Sequence, residues 1–349
     1  MNVTRRQATS LRTAIEHWSR IGHLDQPTAT ALRADIEVIP FDWRALAKYA
    51  FWCALICIVI AISALVADEA LRQLLQVLFE APHSVKFLGL SGLSAIIYWA
   101  GATRQSRHPN KIFSNEAILF LGVLTTAGAI YQFGHVIDTG SGHFSVLLLL
   151  SSLVYGLLGV VVRSKLIWLF ALISLGAWMG AETGYMSGWG AYYLGMNYPL
   201  RFVLFGGALV AAGLMLERTN WFEHLSRTTL ATGLGYLFIA LWIMSIFGNY
   251  GDEATWRESR PIELFHWSIL FALASAAAIY HGLRFDDAMT KGFGLIFLLI
   301  NLYTRFFEFF WDTTHKALFF GLLGISLWYL GSRAEAIWHG RSKGAAEEG

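Results

Sequence analysis

Ten apolar runs, each near the length that crosses a lipid bilayer, dominate this sequence. They lie at about 48–67, 86–103, 115–137, 144–162, 166–183, 200–217, 228–248, 263–283, 292–311 and 316–333. A helix needs roughly 20 apolar residues to cross the hydrocarbon core. Because the 349-residue chain is 56% hydrophobic and only 14% charged, it is predicted to be an all-α, polytopic transmembrane helix bundle.

The segment before the first run, 1–47, predicts a short cytosolic helical hairpin followed by an interfacial linker. Apolar residues at helical spacing outline its two helices: Leu11, Ile15, Trp18 and Ile21, then Ala31, Leu32 and Ile36. Gly22 can end the first helix, and Asp25 with Pro27 can begin the second. Such a pair has little core of its own, so we expect it to lie on the membrane surface or to dock on cytosolic loops or a protein partner.

The basic residues are distributed unevenly between the two sides of the predicted membrane. One side has Arg33, Arg44, Lys48, Arg104, Arg107, Lys111, Arg163, Lys165, Arg218, Arg227, Arg284, Lys291, Arg333, Arg341 and Lys343, and the other has Arg72, Lys86, Arg201, Arg257, Arg260 and Lys316. Cytosolic loops carry the excess of Lys and Arg. Both termini, including the tail 334–349, are therefore predicted to be cytosolic.

Two sequence regularities bear on helix packing. An ungapped offset of 114 residues aligns Arg104 with Arg218 and Asp138 with Asp252, which suggests a parallel repeat over 86–183 and 200–311 within the bundle 48–333. Glycines at every fourth position, Gly176, Gly180, Gly184 and Gly188, favour a close helix crossing.

A polar stripe runs along the ninth apolar run. Asn301, Arg305, Glu308 and Asp312 share one helical face with His315, while phenylalanines cover the rest. A charge near the bilayer centre costs about 2.5 to 3.5 kcal/mol, so these groups need protein partners or a wet cavity. Two interpretations stay open: the charges neutralise each other to lock helix packing, or they line a binding site.

A second polar group ends the third run. Tyr131, His135 and Asp138 share a face, with Gln132 adjacent, and the topology puts them at the same depth as Glu308 and Asp312, so the two stripes are able to meet. An Asp beside a His fixes its tautomer. His135 is interpreted either as a proton acceptor or half of a metal site, or as an interfacial histidine bonded to Asp138 and water.

Motifs for other chemistries are missing from the sequence. It contains no Walker loop, GxSxG elbow, dinucleotide fingerprint, CxxCH or HExxH. Cys53 and Cys57 are interpreted as small packing residues. The formal charge of +2 gives no reason to expect a nucleic-acid partner, and we predict neither a metal nor a cofactor.

Three segments resemble a known family. They are HWSRIGHLDQPTATALRADI, AGAIYQFGHVIDTGSGHFSVLLLLSSLVYGL and NLYTRFFEFFWDTTHKALFFGLLGISLWYLGSRAE, and they are similar to the bacterial multi-pass membrane proteins of the domain of unknown function 2157 family. Shared polar positions include Gln132, Asp138, Asn301 and Arg305. Gly134 and His135 depart from the family pattern. The resemblance implies an integral inner-membrane protein and no established activity.

These observations favour a non-enzymatic role. The first hypothesis is a bundle with an outward-facing polar cavity, formed by Gln132, His135, Asp138, Asn301, Arg305, Glu308 and Asp312, that binds or transports a small polar or lipid-linked solute. The second is an envelope assembly or sensing protein whose stripe only locks helix packing and whose hairpin contacts a partner. A transferase using His135 and Asp138 as base is the third.

Overall fold

A computed structural model describes most of the chain. The described residues are 2–3, 5–38, 80–137, 140, 142–219 and 223–310, with isolated helical positions within 46–64 and 317–328. The first and tenth predicted spans and the tail 334–349 lie largely outside these ranges. Asp138, Asp312 and His315 also lie outside them, so predictions about these three residues stay predictions.

The N-terminal hairpin is present and has a small core of its own. Helix α1 spans Arg5–Arg20 and α2 spans Gln26–Ala34, and Gly22 adopts a φ of +80° between them. Two-residue strands, β1 (Asn2–Val3) and β2 (Glu37–Val38), pair in parallel beside the helices. Buried residues of the core are Ala8, Ile15, Ala29 and Ile36.

The hairpin's predicted apolar faces are only partly right. Ile15 and Ile36 are buried and Leu11 packs against them. In contrast, Ala31 is exposed, and Trp18, Ile21 and Leu32 are each about two-fifths exposed or more. The short helices cannot cover residues near their ends, so small alanines fill the interior instead.

The described residues from 83 to 310 form a helix bundle. Its helices are α3 (His83–Arg107), α4 (Ile112–Ile137), α5 (Ser145–Val161), α6 (Lys165–Met186), α7 (Tyr198–Glu217), α8 (Glu223–Phe247), the short α9 (Glu253–Glu258), α10 (Phe265–Arg284) and α11 (Ala288–Phe310), with a 3₁₀ turn at Pro261–Leu264. Among the described residues, seven helices are long and apolar enough to cross a membrane, and α5 is a shorter apolar helix. The chain is therefore built as a membrane helix bundle, with eight helices at the second to ninth predicted spans.

Consecutive helices pack as hairpins. The pairs α3/α4, α5/α6, α7/α8 and α10/α11 have the most extensive contacts, and α4 and α8 each also contact both helices of the pair that follows them. The two halves thus have the same contact pattern, as a parallel repeat would require. We call the end that carries the α3–α4, α5–α6, α7–α8 and α10–α11 connections the basic end, because the predicted cytosolic Lys and Arg residues lie there.

Glycines allow the closest helix contacts. A Cβ atom at Gly206, Gly213 or Gly233 would collide with the backbone of the facing helix, so α7 and α8 touch main chain to main chain. The glycine series in α6 was predicted to allow a close helix crossing, but aromatic side chains lie against it instead. The rings of Tyr236 and Phe202 lie against Gly176 and Gly180. That series therefore makes room for aromatic side chains, because rings from α7 and α8 occupy the space over it.

Candidate functional site

Asn301 of the predicted stripe is bonded to helix α10. Ser268 Oγ donates to Asn301 Oδ1 at 2.7 Å, and Asn301 Nδ2 donates to the Ser268 carbonyl at 2.9 Å. Asn301 is 4% exposed and Ser268 is buried as well. Because both ends of the amide are satisfied inside the bundle, Asn301 joins α11 to α10 and has little capacity left for a ligand.

Arg305 and Glu308 form an ion pair one turn further along α11. Arg305 Nη1 contacts Glu308 Oε2, and their side chains are 11% and 22% exposed. Arg305 Nη2 also donates to the Ser245 carbonyl of α8 at 2.6 Å. Arg305 Nε is buried and has no hydrogen-bond partner among the described residues. The pair thus faces itself and α8, which is the arrangement expected of a packing clamp.

Gln132 and His135 lie in a different environment at the end of α4. His83, the first residue of α3, forms a 2.7 Å hydrogen bond through Nδ1 with Gln132 Oε1. The His83 and His135 rings stack with centroids 4.7 Å apart, and Tyr131 packs edge-on against His135. Because an amide oxygen can only accept, this hydrogen bond requires the His83 tautomer that has its proton on Nδ1.

The predicted site residues therefore fall into two groups. Asn301, Arg305 and Glu308 bond to α8 and α10, whereas Gln132 and His135 contact α3, and the two groups share no hydrogen bond, ion pair or ring contact within the described part of the chain. The cavities at the two ends and on the flank of the bundle are lined by other residues. A common binding role for these five residues stays a prediction.

A polar cavity at the basic end was not predicted. Its volume is about 650 Å³, and its walls come from the ends of five helices, α6, α7, α8, α10 and α11. The lining side chains that carry charge or imidazole are Lys165, Glu217, Arg218, His224, Arg227, His281, Asp286 and Asp287. Met289 and Arg305 are sixteen residues apart on α11, or about 24 Å at 1.5 Å per residue, so this cavity is well separated from the polar stripe.

Asp287 at this cavity is committed to a helix end. Its Oδ1 accepts from the Met289 N–H at 3.1 Å, and its Oδ2 accepts from the N–H and hydroxyl of Thr290. Burial by itself would raise the pKa of Asp287, but these hydrogen bonds and the charge of Arg227 outweigh it and lower the pKa below its ordinary value. Asp287 is thus an ionised N-cap of α11.

The opposite end is closed by a network between two connections. Asn197, the N-cap of α7, donates through Nδ2 to the Gly248 carbonyl at 2.8 Å, and its backbone N–H donates to Asn249 Oδ1 at 2.9 Å. Arg201, 4% exposed, lies over the rings of Tyr193 and Tyr198 and donates to main-chain carbonyls. A cavity of about 390 Å³ next to this network is more apolar in its lining.

Two further groups of hydrogen-bonded polar side chains lie elsewhere in the bundle. Glu182 Oε2 accepts from Ser145 Oγ at 2.5 Å and lies 2.9 Å from His143 Nε2, which ties the start of α5 to α6. On the flank, Ser94 and Thr126 share a hydrogen bond beside an apolar cavity of about 480 Å³. Within the described ranges, no group of three or more His, Cys, Asp or Glu side chains is arranged to hold a metal ion.

The sequence did not reveal which residues bond to the polar side chains of α11, because those partners have no distinctive sequence pattern. Ser245 and Ser268 are each one of several hydroxyl residues in α8 and α10, and Ser245 contributes only its backbone carbonyl. The cavity residues are spread from Lys165 to Met289. Only the excess of basic residues on one side of the predicted membrane pointed toward that end.

Comparison with known proteins gives no further identification: no family model, no curated protein and no solved structure matches the chain. The resemblance to the domain of unknown function 2157 family stays a proposal.

Proposed function

We propose that this chain is a non-enzymatic integral membrane protein that binds a small polar solute in the basic-end cavity. The cavity itself is the observation that carries the proposal. Its volume of about 650 Å³ falls within the range of roughly 300 to 1,000 Å³ typical of small-molecule sites, and eight charged or imidazole side chains line it. The proposal also places the protein in a bacterial inner membrane, with both termini and this cavity on the cytosolic side, as the basic-residue distribution and the family resemblance suggest.

Binding is better supported than passage through the bundle. Leu230 lines the cavity and also belongs to the hydrophobic core that contains Phe238 and Phe271. Phe238 stacks on Phe297 with ring centroids 5.1 Å apart. These rings fill the interior between α8, α10 and α11, so transport of a solute bound here would require the helices to repack.

Thermal-shift measurements on the full-length protein in phosphatidylcholine nanodiscs test this proposal. The probes are one cation, one zwitterion, one neutral sugar and one anion: choline, glycine betaine, glucose and inorganic phosphate. We expect at least one to raise the melting temperature in a saturable way. The double variant Lys165→Gln with Arg227→Gln should change that shift, reducing it for an anion and enlarging it for a cation, whereas Arg107→Gln, an exposed basic-end change outside the cavity, should preserve it.

Two results would overturn the binding function. One is the absence of a saturable shift with every probe. The other is a shift of equal size in the cavity double variant and in wild type, because the probe would then be acting elsewhere on the protein.

A second candidate, an envelope assembly or sensing protein, is favoured by the ion pair. Arg305 and Glu308 contact each other and α8, as a purely structural stripe would. In this candidate the N-terminal hairpin carries the function through a protein partner. Removal of residues 1–37 should then leave membrane insertion and any solute-dependent thermal shift unchanged while abolishing complementation of a deletion strain. Full complementation by the truncated protein would argue against it.

A further inference from the structure

An apolar cavity of about 480 Å³, which we call the flank cavity, lies between α3, α4 and α5. No charged side chain lines it. Its polar lining consists of four hydroxyl residues, Ser91, Ser94, Tyr98 and Thr126, and the remaining walls are aliphatic side chains and phenylalanines. The flank cavity shares no lining residue with the basic-end cavity, so a ligand here is a separate matter from the proposed binding function.

The hydroxyl groups of the flank cavity lie deep in the predicted hydrocarbon layer. Helix α3 is long and apolar enough to span a membrane. Ser94 is eleven residues from its start at His83, and Tyr98 is nine residues from its end at Arg107, so each lies roughly 15 Å from an end of the helix at 1.5 Å per residue. Because a charge at this depth is costly, the cavity suits an uncharged, membrane-soluble molecule.

The phenol of Tyr98 has no close acceptor for its proton. Thr126 Oγ1 donates its single proton to the Gly122 carbonyl at 2.8 Å, and Ser94 Oγ lies 2.5 Å from Thr126 Oγ1 and donates to it. The Tyr98 oxygen is 3.3 Å from Thr126 Oγ1, beyond the usual O–H···O range of roughly 2.5 to 3.0 Å.

Tyr98 is only 6% exposed and has no other hydrogen bond within the described part of the chain. A buried polar group without a good partner is costly. Since Tyr98 lines the flank cavity, an acceptor atom placed in the cavity would relieve this cost.

The walls of the flank cavity favour a flat ring with a hydrocarbon tail. Phe87 of α3 and Phe133 of α4 both line it, with ring centroids 5.2 Å apart and planes tilted by 38°. Aromatic rings pack well against another flat ring. On α5, Leu150, Val154 and Leu158 recur every fourth residue and form an aliphatic wall, against which an aliphatic chain would pack.

We propose that the flank cavity binds an isoprenoid quinone, whose ring carbonyl accepts the hydrogen bond of the Tyr98 hydroxyl and whose tail lies along α5. A quinone is uncharged, dissolves in hydrocarbon, has a flat ring, and presents a carbonyl oxygen that accepts without donating. An acyl chain of a phospholipid meets the second condition but carries no acceptor to the depth of Tyr98.

Titration of full-length protein in phosphatidylcholine nanodiscs with decylubiquinone tests the proposal. The melting temperature is followed against the mole fraction of quinone in the bilayer, and we expect a rise that saturates. Decylbenzene, which has a ring and the same tail but no carbonyl, should bind about fivefold more weakly, because one hydrogen bond is missing.

Two tyrosines provide a matched pair of variants. Tyr98→Phe keeps the ring but removes the donor, so it should weaken quinone binding about fivefold and remove the preference over decylbenzene. Tyr155 is also buried and donates to the Val123 carbonyl at 2.9 Å, but it does not line the flank cavity. Tyr155→Phe should therefore leave the quinone affinity unchanged. Val154→Trp fills the cavity from α5 without touching the hydroxyl groups and should abolish saturable binding.

Four results would overturn the proposal. Equal affinities for decylbenzene and the quinone would assign the cavity to hydrocarbon alone. A shift that never saturates would mean that an acyl chain or another part of the protein fills the cavity. Wild-type quinone affinity in Tyr98→Phe would exclude the phenol as donor, and wild-type affinity in Val154→Trp would place the quinone elsewhere on the protein.

Discussion

Separating Arg305 from Glu308 is the sharpest perturbation of the polar stripe. Arg305→Leu leaves the Glu308 carboxylate unpaired with its side chain 22% exposed, and it removes the donor to the Ser245 carbonyl. Breaking a buried pair costs about 3 to 5 kcal/mol. Because this pair is partly exposed, we expect the low end, about 3 kcal/mol.

The reverse change should cost less. In Glu308→Leu the guanidinium keeps its 2.6 Å hydrogen bond to Ser245, so we expect about 2 kcal/mol. The double variant, with two apolar groups facing α8, should lie within about 1 kcal/mol of wild type. The two single effects therefore should not add, which is the mark of direct coupling.

Melting temperature and folded yield in detergent measure this cycle. The exposed pair Arg257 and Glu253, with side chains 72% and 69% exposed, supplies the control: Arg257→Leu should cost less than about 0.5 kcal/mol. An Arg305→Leu effect no larger than that control would refute the buried-pair reasoning. A double variant as unstable as the sum of the single variants would show that the two charges have other partners, as a binding site would require.

Three further changes test separate contacts. Asn301→Ala should lower the free energy of unfolding by about 2 kcal/mol, because the buried Ser268 hydroxyl loses its acceptor. An effect smaller than that of a substitution at an exposed helix position would contradict this hydrogen-bonded link between α11 and α10. Gly206→Ala should cost about 1 to 3 kcal/mol through collision with α8, whereas Gly207→Ala, with open space around its Cβ position, should be neutral or stabilising; equal effects would rule out the close crossing. Asp287→Ala should cost about 1 kcal/mol at pH 7. Because the pKa of Asp287 is lowered on folding, its contribution to stability is present above the ordinary pKa of about 3.9 and is lost as the pH falls through the pKa of the folded protein. If the difference in melting temperature between wild type and Asp287→Ala widened on acidification, this reasoning would be contradicted.

Local sequence pattern was sufficient for most of the secondary structure. Apolar runs of spanning length predicted eight helices that the structure describes, and helical spacing put Asn301, Arg305 and Glu308 on one face of α11. The same spacing found the hairpin but not its interior, since Ala8 and Ala29 give a weaker hydrophobic signal than the exposed Trp18.

Partners and cavities depended on the tertiary structure. Nothing in the sequence distinguished Ser245 or Ser268 from other hydroxyl residues in apolar helices, yet these two receive the polar side chains of α11. Likewise, His83 and His135 are in contact only because α3 and α4 fold back on each other.

Helix formation and membrane compatibility follow from residues close together in the chain, since a span is recognised by its own length and hydrophobicity. The sequence by itself determined those properties, together with the uneven distribution of basic residues. The basic-end cavity, by contrast, joins Lys165 to Met289 across five helix ends. Only the packing of the helices decided which side chains meet there, because spacing along one helix carries no information about the helix that will lie against it.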